Sequence, residues 1–442
     1  MEICSVGGYN EVGKNMTAVR VGEEVVIFDM GIFLPPIVNL EEEEKVNIST
    51  KQLRKIGALP DDTILDQLGW SNKVKAICLG HVHLDHIAAI PYLAAKYKCP
   101  IYASPYTMEV LKEIIAEEEA ILPNELRTIN INTTMKISES LKIEFINITH
   151  STPQSAMMAL HTKEGVVLYC NDFKFDNNPI IGDAPNYTRL KELRYQNVAA
   201  MICESLYADR EGKTPSEKVA RELLKDVMLG VSNEKNAIFV TTFASHIARI
   251  YSAVEFAGTL KRKVVFLGRS MGKYIKAAEN INIVNFSKKG QIVSYKRDIM
   301  KILSKIEKNR DEYVVICTGN QGEPGSTLDK MVKKQLQFNF KEGDSVIFAS
   351  KVIPDPVNIA NRKVLESKLK KSRVRIFTDI HASGHSSRED LRDLITMVKP
   401  KNIIPAHGDG AKLNALAELA KECGYSQGKN LYLMYNGKKI KI

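Results

Sequence analysis

Residues 79–91 read LGHVHLDHIAAIP, and within them His81, His83, Asp85 and His86 crowd four potential metal ligands into six consecutive positions. The stretch directly follows VKAICL (74–79), an apolar run with the composition of a buried strand. A solvent-exposed polar turn is the plain alternative, but it does not explain why three of the chain's nine histidines gather here. In a turn from strand to helix, His81 and His83 can face one side while Asp85 and His86 face the other. That arrangement suits two adjacent cations. Imidazole nitrogen and carboxylate oxygen are the usual donors for zinc and also serve manganese.

A two-metal site needs about three further ligands. The same placement, a ligand-type residue closing an apolar strand, recurs along the chain. His150 closes IEFINITH, Asp172 closes VVLYCND and His407 closes NIIPAH. Asp29 closes VVIFD in the same way and is expected to orient a ligand histidine rather than to bind metal itself. Singly, each passes for an ordinary loop residue; the repetition singles them out.

At 442 residues the chain exceeds one ordinary domain. A hydrophobic content of 44% and a charged content of 26% match a soluble globular protein. No apolar run approaches the ~20 residues that span a bilayer, so no membrane association is expected. The start, MEICSVGGYNEVG, lacks the basic residues and apolar core of a signal peptide. Seven scattered cysteines without a C-x-x-C pair fit a reducing compartment, and a cytoplasmic protein is expected. The net charge of +10 suits a polyanionic partner without identifying one.

MEICSVGG, MTAVRVG and EEVVIFDMG read as short strands, and the acidic run Glu41–Glu44 opens a polar excursion to about Trp70, expected as solvated loop and short helix. Mostly antiparallel strands with interspersed helices are expected up to 208. From 209, helices such as SEKVARELLKDVMLG alternate with the apolar strands NAIFVTT, KVVFLG, YVVICTG and DSVIFAS. That alternation implies a parallel sheet covered on both faces. The expected division is 1–208, an inserted unit at 209–372 and a return segment at 373–442, ending in an Asn-Gly hairpin within LYLMYNGKKIKI.

The pattern H-x-H-x-D-H with a later His, Asp and His resembles the metallo-β-lactamase fold, an α/β architecture whose αββα sandwich carries two metals at the edge of its sheets. The inserted parallel-sheet unit, together with ICESLYADR and ASGHSSREDL, resembles the β-CASP nuclease branch of that superfamily. Within the branch, GGYNEVGKNM, TTFASHIARI, LGRSM and TGNQGEPGSTL resemble the ribonuclease J family, from the N-terminus to about residue 408. The chain ends 35 residues after His407, like the shorter archaeal form. It departs from the family at Gly80, where Ser or Thr often stands. It departs also at His246 and Ala248, in place of Asn and His, and at 353–361, IPDPVNIAN.

The resemblance implies that His81, His83, Asp85, His86, His150, Asp172 and His407 hold two divalent ions, with Asp172 between them. Zinc is the expected metal, with manganese or magnesium as alternatives. His385 is implied as the acid that protonates the leaving ribose oxygen, Glu204 as the residue that orients or tunes it, and Asp85 stands with them among the catalytic residues. Members that act on DNA generally replace the last histidine, so His407 implies an RNA substrate. A 5′-to-3′ exoribonuclease favouring 5′-monophosphate ends on single-stranded RNA is implied, with an endoribonuclease as the alternative. Phe243, Ser245, Arg269 and Ser270 are implied RNA contacts on the inserted unit, and assembly into a homo-oligomer is compatible with the sequence.

One more phosphate site is read from the residues themselves. Ser386 and Glu389 have capping-box spacing, so a helix should start there with free N–H groups, and Ser383, Gly384, His385 and Ser386 are expected to contact phosphate. Two other classes fit less well. A small-molecule hydrolase on this fold would lack the inserted unit, Glu204 and His385, and a non-catalytic scaffold would have lost ligands. GYNEVGKN has the spacing of a P-loop, but Asn15 follows where Ser or Thr is required and TAVRV is strand-like, so nucleotide binding is set aside.

Overall fold

The structure, a computed structural model, describes residues 1–38, 40 and 48–442. The solvated loop expected at Glu41–Glu44 lies outside the described residues. Short helices at Thr50–Lys55 and Thr63–Gln67 follow, the first closed by a reciprocal capping box between Ser49 and Gln52.

β1 (Glu2–Gly7), β2 (Met16–Val21) and β3 (Glu24–Phe28) pair antiparallel. β4 (Val74–Leu79), β5 (Ile101–Ala103) and β6 (Leu126–Thr128) extend that sheet in parallel. In a second sheet, β7 (Thr133–Lys136), β8 (Lys142–Asn147), β9 (Ala156–Thr162) and β10 (Gly165–Cys170) run antiparallel, and β11 (Val198–Glu204) joins parallel to β10. Both sheets are therefore mixed rather than mostly antiparallel. Where a helix joins two consecutive strands that are neighbours in a sheet, the crossover returns the chain to its starting end and the pairing is parallel.

Alternate residues of each strand are buried on opposite faces. In β3, Val26 and Phe28 enter the core between the two sheets, while Val25 and Ile27 enter the core beneath the flanking helices. Phe28 stacks across the gap on Tyr169 of the second sheet, with ring centroids 5.0 Å apart. Helices 388–398 and 410–422 cover the outer face of the second sheet through Leu391, Leu394, Leu416 and Leu419. The result is the expected αββα sandwich.

The inserted unit contributes β12 (Ile238–Thr241), β13 (Lys263–Leu267), β14 (Gly290–Val293), β15 (Tyr313–Cys317), β16 (Ser345–Phe348) and β17 (Arg375–Phe377), all parallel, in the order β14-β13-β15-β12-β16-β17. β17 lies past the expected boundary at 372, because the helix Pro356–Lys371 needs a strand after it to return to the sheet. The chain then re-enters the sandwich. β18 (Ile403–Ala406) lies beside β11, and β19 (Lys438–Lys441) lies beside β1. The Asn436–Gly437 turn is present, but its expected hairpin is not, because β19 finds its partner in β1 rather than in the residues before the turn.

Helix 269–280 of the inserted unit packs on helix 105–117 of the sandwich. Lys273–Glu117 (2.6 Å) and Lys276–Glu113 (2.8 Å) flank this contact. No described helix is long and apolar enough to cross a membrane.

Candidate metal centre

Five of the seven expected ligands lie at or just past the C-terminal end of a strand, and Asp85 and His86 lie in the short helix Leu84–Ile87 that follows β4. His81 and His83 follow β4, His150 follows β8, Asp172 follows β10 and His407 follows β18. Their donor atoms fall into two groups, His81, His83, His150 and Asp172 on one side and Asp85, His86, His407 and Asp172 on the other, each group's atoms lying within 4.8 Å of one another. Asp172 belongs to both. Its Oδ2 lies 3.5 Å from Nε2 of His81 and 3.5 Å from Nε2 of His86, and its Oδ1 lies 3.3 Å from Nε2 of His407.

Three of the five ligand rings are turned by a partner at the far side. His86 Nδ1 lies 2.7 Å from Asp29 Oδ2, His150 Nδ1 is 2.7 Å from the Gly384 carbonyl, and His407 Nδ1 is 2.9 Å from Asn15 Oδ1. These bonds leave Nε2 of each ring facing the centre. Asp29 stands behind His86 at a positive φ of 57°. Its other oxygen accepts the Gly80 N–H at 2.9 Å. Asn15 was not expected. Besides holding His407, its Nδ2 donates to the Asp85 carbonyl at 3.0 Å and so spans the second group. Asn171 is the matching surprise: its Nδ2 lies 3.3 Å from both Asp29 Oδ2 and His81 Nδ1. No local pattern announces either asparagine; the one hint is adjacency, Asn171 preceding a ligand and Asn15 closing a glycine-rich turn.

The donor set fits cations better than protons. His83 Nδ1 lies 3.1 Å from His81 Nε2 and 3.2 Å from His150 Nε2, so three ring nitrogens converge where one proton can serve only two. Burial, with His86 nearby, brings His81 down to about 4, and burial with His83 and His81 holds His150 well below the usual imidazole range. Both rings are therefore neutral and offer lone pairs. Asp172 Oδ1 is buried without a hydrogen-bond partner among the described residues. Burial opposes its ionisation, but His407, His86 and His385 hold it well below the ordinary carboxylate range.

Beside Asp172 stands a third pair. His385 Nδ1 lies 2.7 Å from Glu204 Oε2, and Glu204 Oε1 accepts the Phe173 N–H at 2.8 Å. Burial works against the charged imidazole, but Glu204 and Asp172 outweigh it and raise His385 to about 10. Burial raises Glu204 to about 7 despite His385. The pair holds a proton at the edge of the anionic cluster.

This layout has counterparts among known proteins. Residues 9–268 match the metallo-beta-lactamase superfamily, residues 235–366 match the ribonuclease J beta-CASP domain, and residues 373–432 match the family described as "Zn-dependent metallo-hydrolase RNA specificity domain". The chain is 44% identical to Ribonuclease J of Pyrococcus abyssi over 100% of this chain and 97% of that protein. It is 41% identical to Ribonuclease J of Methanocaldococcus jannaschii over 99% of this chain and 98% of that one. The chain belongs to the ribonuclease J family. Ribonuclease J2 of Bacillus subtilis shares 27% identity over 100% of this chain but 75% of its own length. A crystal structure of a protein of unknown function from Enterococcus faecalis V583 has the same fold, with a TM-score of 0.68 at 17% identity over 99% of both chains.

Two of the departures from the family pattern, Gly80 and His246, have physical reasons. A Cβ at Gly80 would come 1.9 Å from Asn171 Nδ2, so the asparagine behind His81 occupies the space a Ser or Thr would need. His246 is buried beside Arg249 and Glu217, where Arg249 donates to both Glu217 oxygens at 2.5 and 2.8 Å. It belongs to the packing of the inserted unit rather than to an open surface.

The expected RNA contacts fare unequally. Half-buried Phe243 and exposed Arg269 and Ser270 sit past the ends of β12 and β13, and Ser245 is buried nearby. Ser383 Oγ accepts the His385 N–H at 3.1 Å, and the Gly384 carbonyl is taken by His150. The helix starts one residue later than the capping-box spacing predicts. The N-cap is Ser387, not Ser386, whose buried hydroxyl donates to the Phe173 carbonyl at 2.9 Å. The first N–H groups are also taken: Ser387 donates to Thr214 Oγ1, Arg388 to the Arg210 carbonyl and Glu389 to the Gly212 carbonyl. This terminus is closed by the loop after β11 and offers no phosphate site.

Proposed function

We propose that this chain is a metal-dependent ribonuclease that hydrolyses RNA phosphodiester bonds, working on single strands from a 5′-monophosphorylated end towards the 3′ end, with zinc in both sites. The observation that carries the reading is the His385–Glu204 pair, which stands next to the carboxylate shared by two complete donor groups. His81, His83, His150 and Asp172 would hold one ion, and Asp85, His86, His407 and Asp172 the other. When bound, such ions supply Lewis acidity to a phosphate oxygen and a water acidified enough to attack phosphorus.

The protein's own part is proton delivery and positioning. A ribose oxygen leaves poorly unless it is protonated. His385 Nδ1 faces Glu204, which leaves Nε2 to give up its proton to that oxygen. Glu204 cannot turn away, because the Phe173 N–H fixes its other oxygen. The His385 backbone is fixed as well, since Thr214 Oγ1 donates to its carbonyl at 2.6 Å. The RNA substrate is supported by the names of the two archaeal relatives and by the RNA-specificity description of residues 373–432. A cytoplasmic site of action accords with the absence of a disulfide among the described cysteines.

A time course on 5′-monophosphorylated RNA labelled at either end tests the polarity. Immediate release of mononucleotide from the 5′ label is expected. Internal fragments appearing first would instead assign endonucleolytic cleavage.

A further inference from the structure

The loop after β11 meets the return segment in a seam of matched charges. Lys412 bonds Asp209 and Lys213 bonds Asp393, each at 2.5 Å. Arg388 bonds Glu422 at 2.5 Å, and Arg392 bonds Glu389 at 2.9 Å and Glu422 at 2.7 Å. Arg210 lies in the same loop, exposed, and has no acidic partner among the described residues. Its guanidinium carbon sits 3.3 Å from the centroid of the Tyr207 ring. That ring in turn lies 5.5 Å, centroid to centroid, from the imidazole of His385.

The backbone beneath this stack is fixed. The Arg210 N–H donates to the Tyr207 carbonyl at 3.0 Å, and the Arg388 N–H donates to the Arg210 carbonyl at 2.9 Å. Tyr207 and Ser387 form a parallel bridge. Tyr207 is half-buried, and its hydroxyl makes no hydrogen bond among the described residues. The ring is therefore the part of this side chain that the surroundings use. A solitary solvated arginine needs no such support. Here a guanidinium is held over a ring that packs beside the proposed acid, while Lys213, Arg388, Arg392 and Lys412 of the seam are each paired with a carboxylate.

We propose that Tyr207 and Arg210 form a binding position for a backbone phosphate of the RNA strand, next to the scissile phosphate and on the side of the leaving oxygen. The proposal rests on the ribonuclease reading above. Arg210 takes the phosphate through its forked N–H donors, which match phosphate oxygens two at a time. Tyr207 acts on both sides of its ring: it holds the guanidinium ready and packs against His385. Holding the fork in place beforehand lowers the entropy lost on binding.

The test is fluorescence anisotropy with the metal-loaded protein and a labelled, phosphorothioate-linked oligouridylate bearing a 5′-monophosphate, a strand that keeps its charges and resists cleavage. Arg210→Gln should weaken binding roughly 10- to 100-fold, the worth of a charge-assisted contact. It should also flatten the slope of log affinity against log salt by about 0.7, one phosphate contact on a single strand. Lys213→Gln removes an already paired charge from the same seam and should change neither. Tyr207→Leu should reproduce much of the Arg210→Gln loss, and Tyr207→Phe should recover it. An unchanged affinity and salt slope in Arg210→Gln overturns the phosphate position, and an unchanged Tyr207→Leu overturns the platform. Absence of chelator-sensitive cleavage by the unmodified protein would count against the ribonuclease reading alone, because the binding comparison does not depend on turnover.

Discussion

At the scale of single residues, the centre separates groups that would hold metal from one that would move a proton. His385 makes its closest bond to Glu204 rather than to a ligand histidine. His385→Ala should therefore slow cleavage roughly 100- to 10,000-fold, the usual worth of a general acid, while bound metal per chain stays nearly unchanged. Loss of metal with normal activity on refilling would assign His385 to the metal instead. Asn15 makes the opposite prediction. It orients His407 from 392 residues away in sequence, so Asn15→Ala should lower metal affinity roughly 10- to 100-fold, read by titration against a competing chelator. The two classes differ in how they could be read from the chain. His81 to His86 stand out because ligand-type residues are rare and here adjacent. Asn15, Asn171 and the Gly384 carbonyl act through partners brought near only by folding, and their residue types are common in loops.

At the scale of elements, strand ends were legible and helix ends less so. Apolar runs closing in His150, Asp172 and His407 mark where a sheet delivers side chains to its edge, and β8, β10 and β18 do so. The spacing of Ser386 and Glu389 suggested an open helix start, but the competing loop of residues 210–214 captures the same N–H groups. A similar competition redirected β19 from its hairpin to β1. One element also carries a pH signature. Glu144 of β8 is bonded by Arg189 at 2.5 Å and lies 2.7 Å from His161, tying β8 to helix 187–193 and to β9. Burial pushes its pKa up, but these two partners prevail and bring it from the ordinary 4.5 to about 2. A depressed carboxylate adds stability that is complete above its unfolded pKa and is lost as pH falls through its folded one. The stability advantage over Glu144→Gln, measured by urea unfolding, should be constant above pH 4.5 and shrink from there towards about 2. An advantage independent of pH over that window would show that the carboxylate's charge is not what the pairing uses.

At the scale of the whole molecule, a sandwich supplies the ligands and an inserted parallel sheet packs against it through helices 105–117 and 269–280. The change of texture near residue 209 was readable because a buried parallel sheet demands apolar strands alternating with helices. The order of its strands was not, since each crossover can pass over a neighbour without leaving a trace in the sequence. The charged contacts flanking the junction are exposed and worth little individually; the buried apolar residues shared between the units carry the packing. Two donor groups joined by Asp172 would hold the ions on which RNA cleavage by this chain depends. The most direct measurement incubates 5′-monophosphorylated RNA with the protein and zinc, manganese or magnesium, with and without chelator, beside Asp172→Asn. Cleavage that needs metal, stops with chelator and falls by orders of magnitude in the variant is the predicted result. Cleavage that persists in chelator, or none with any of these metals, would contradict it.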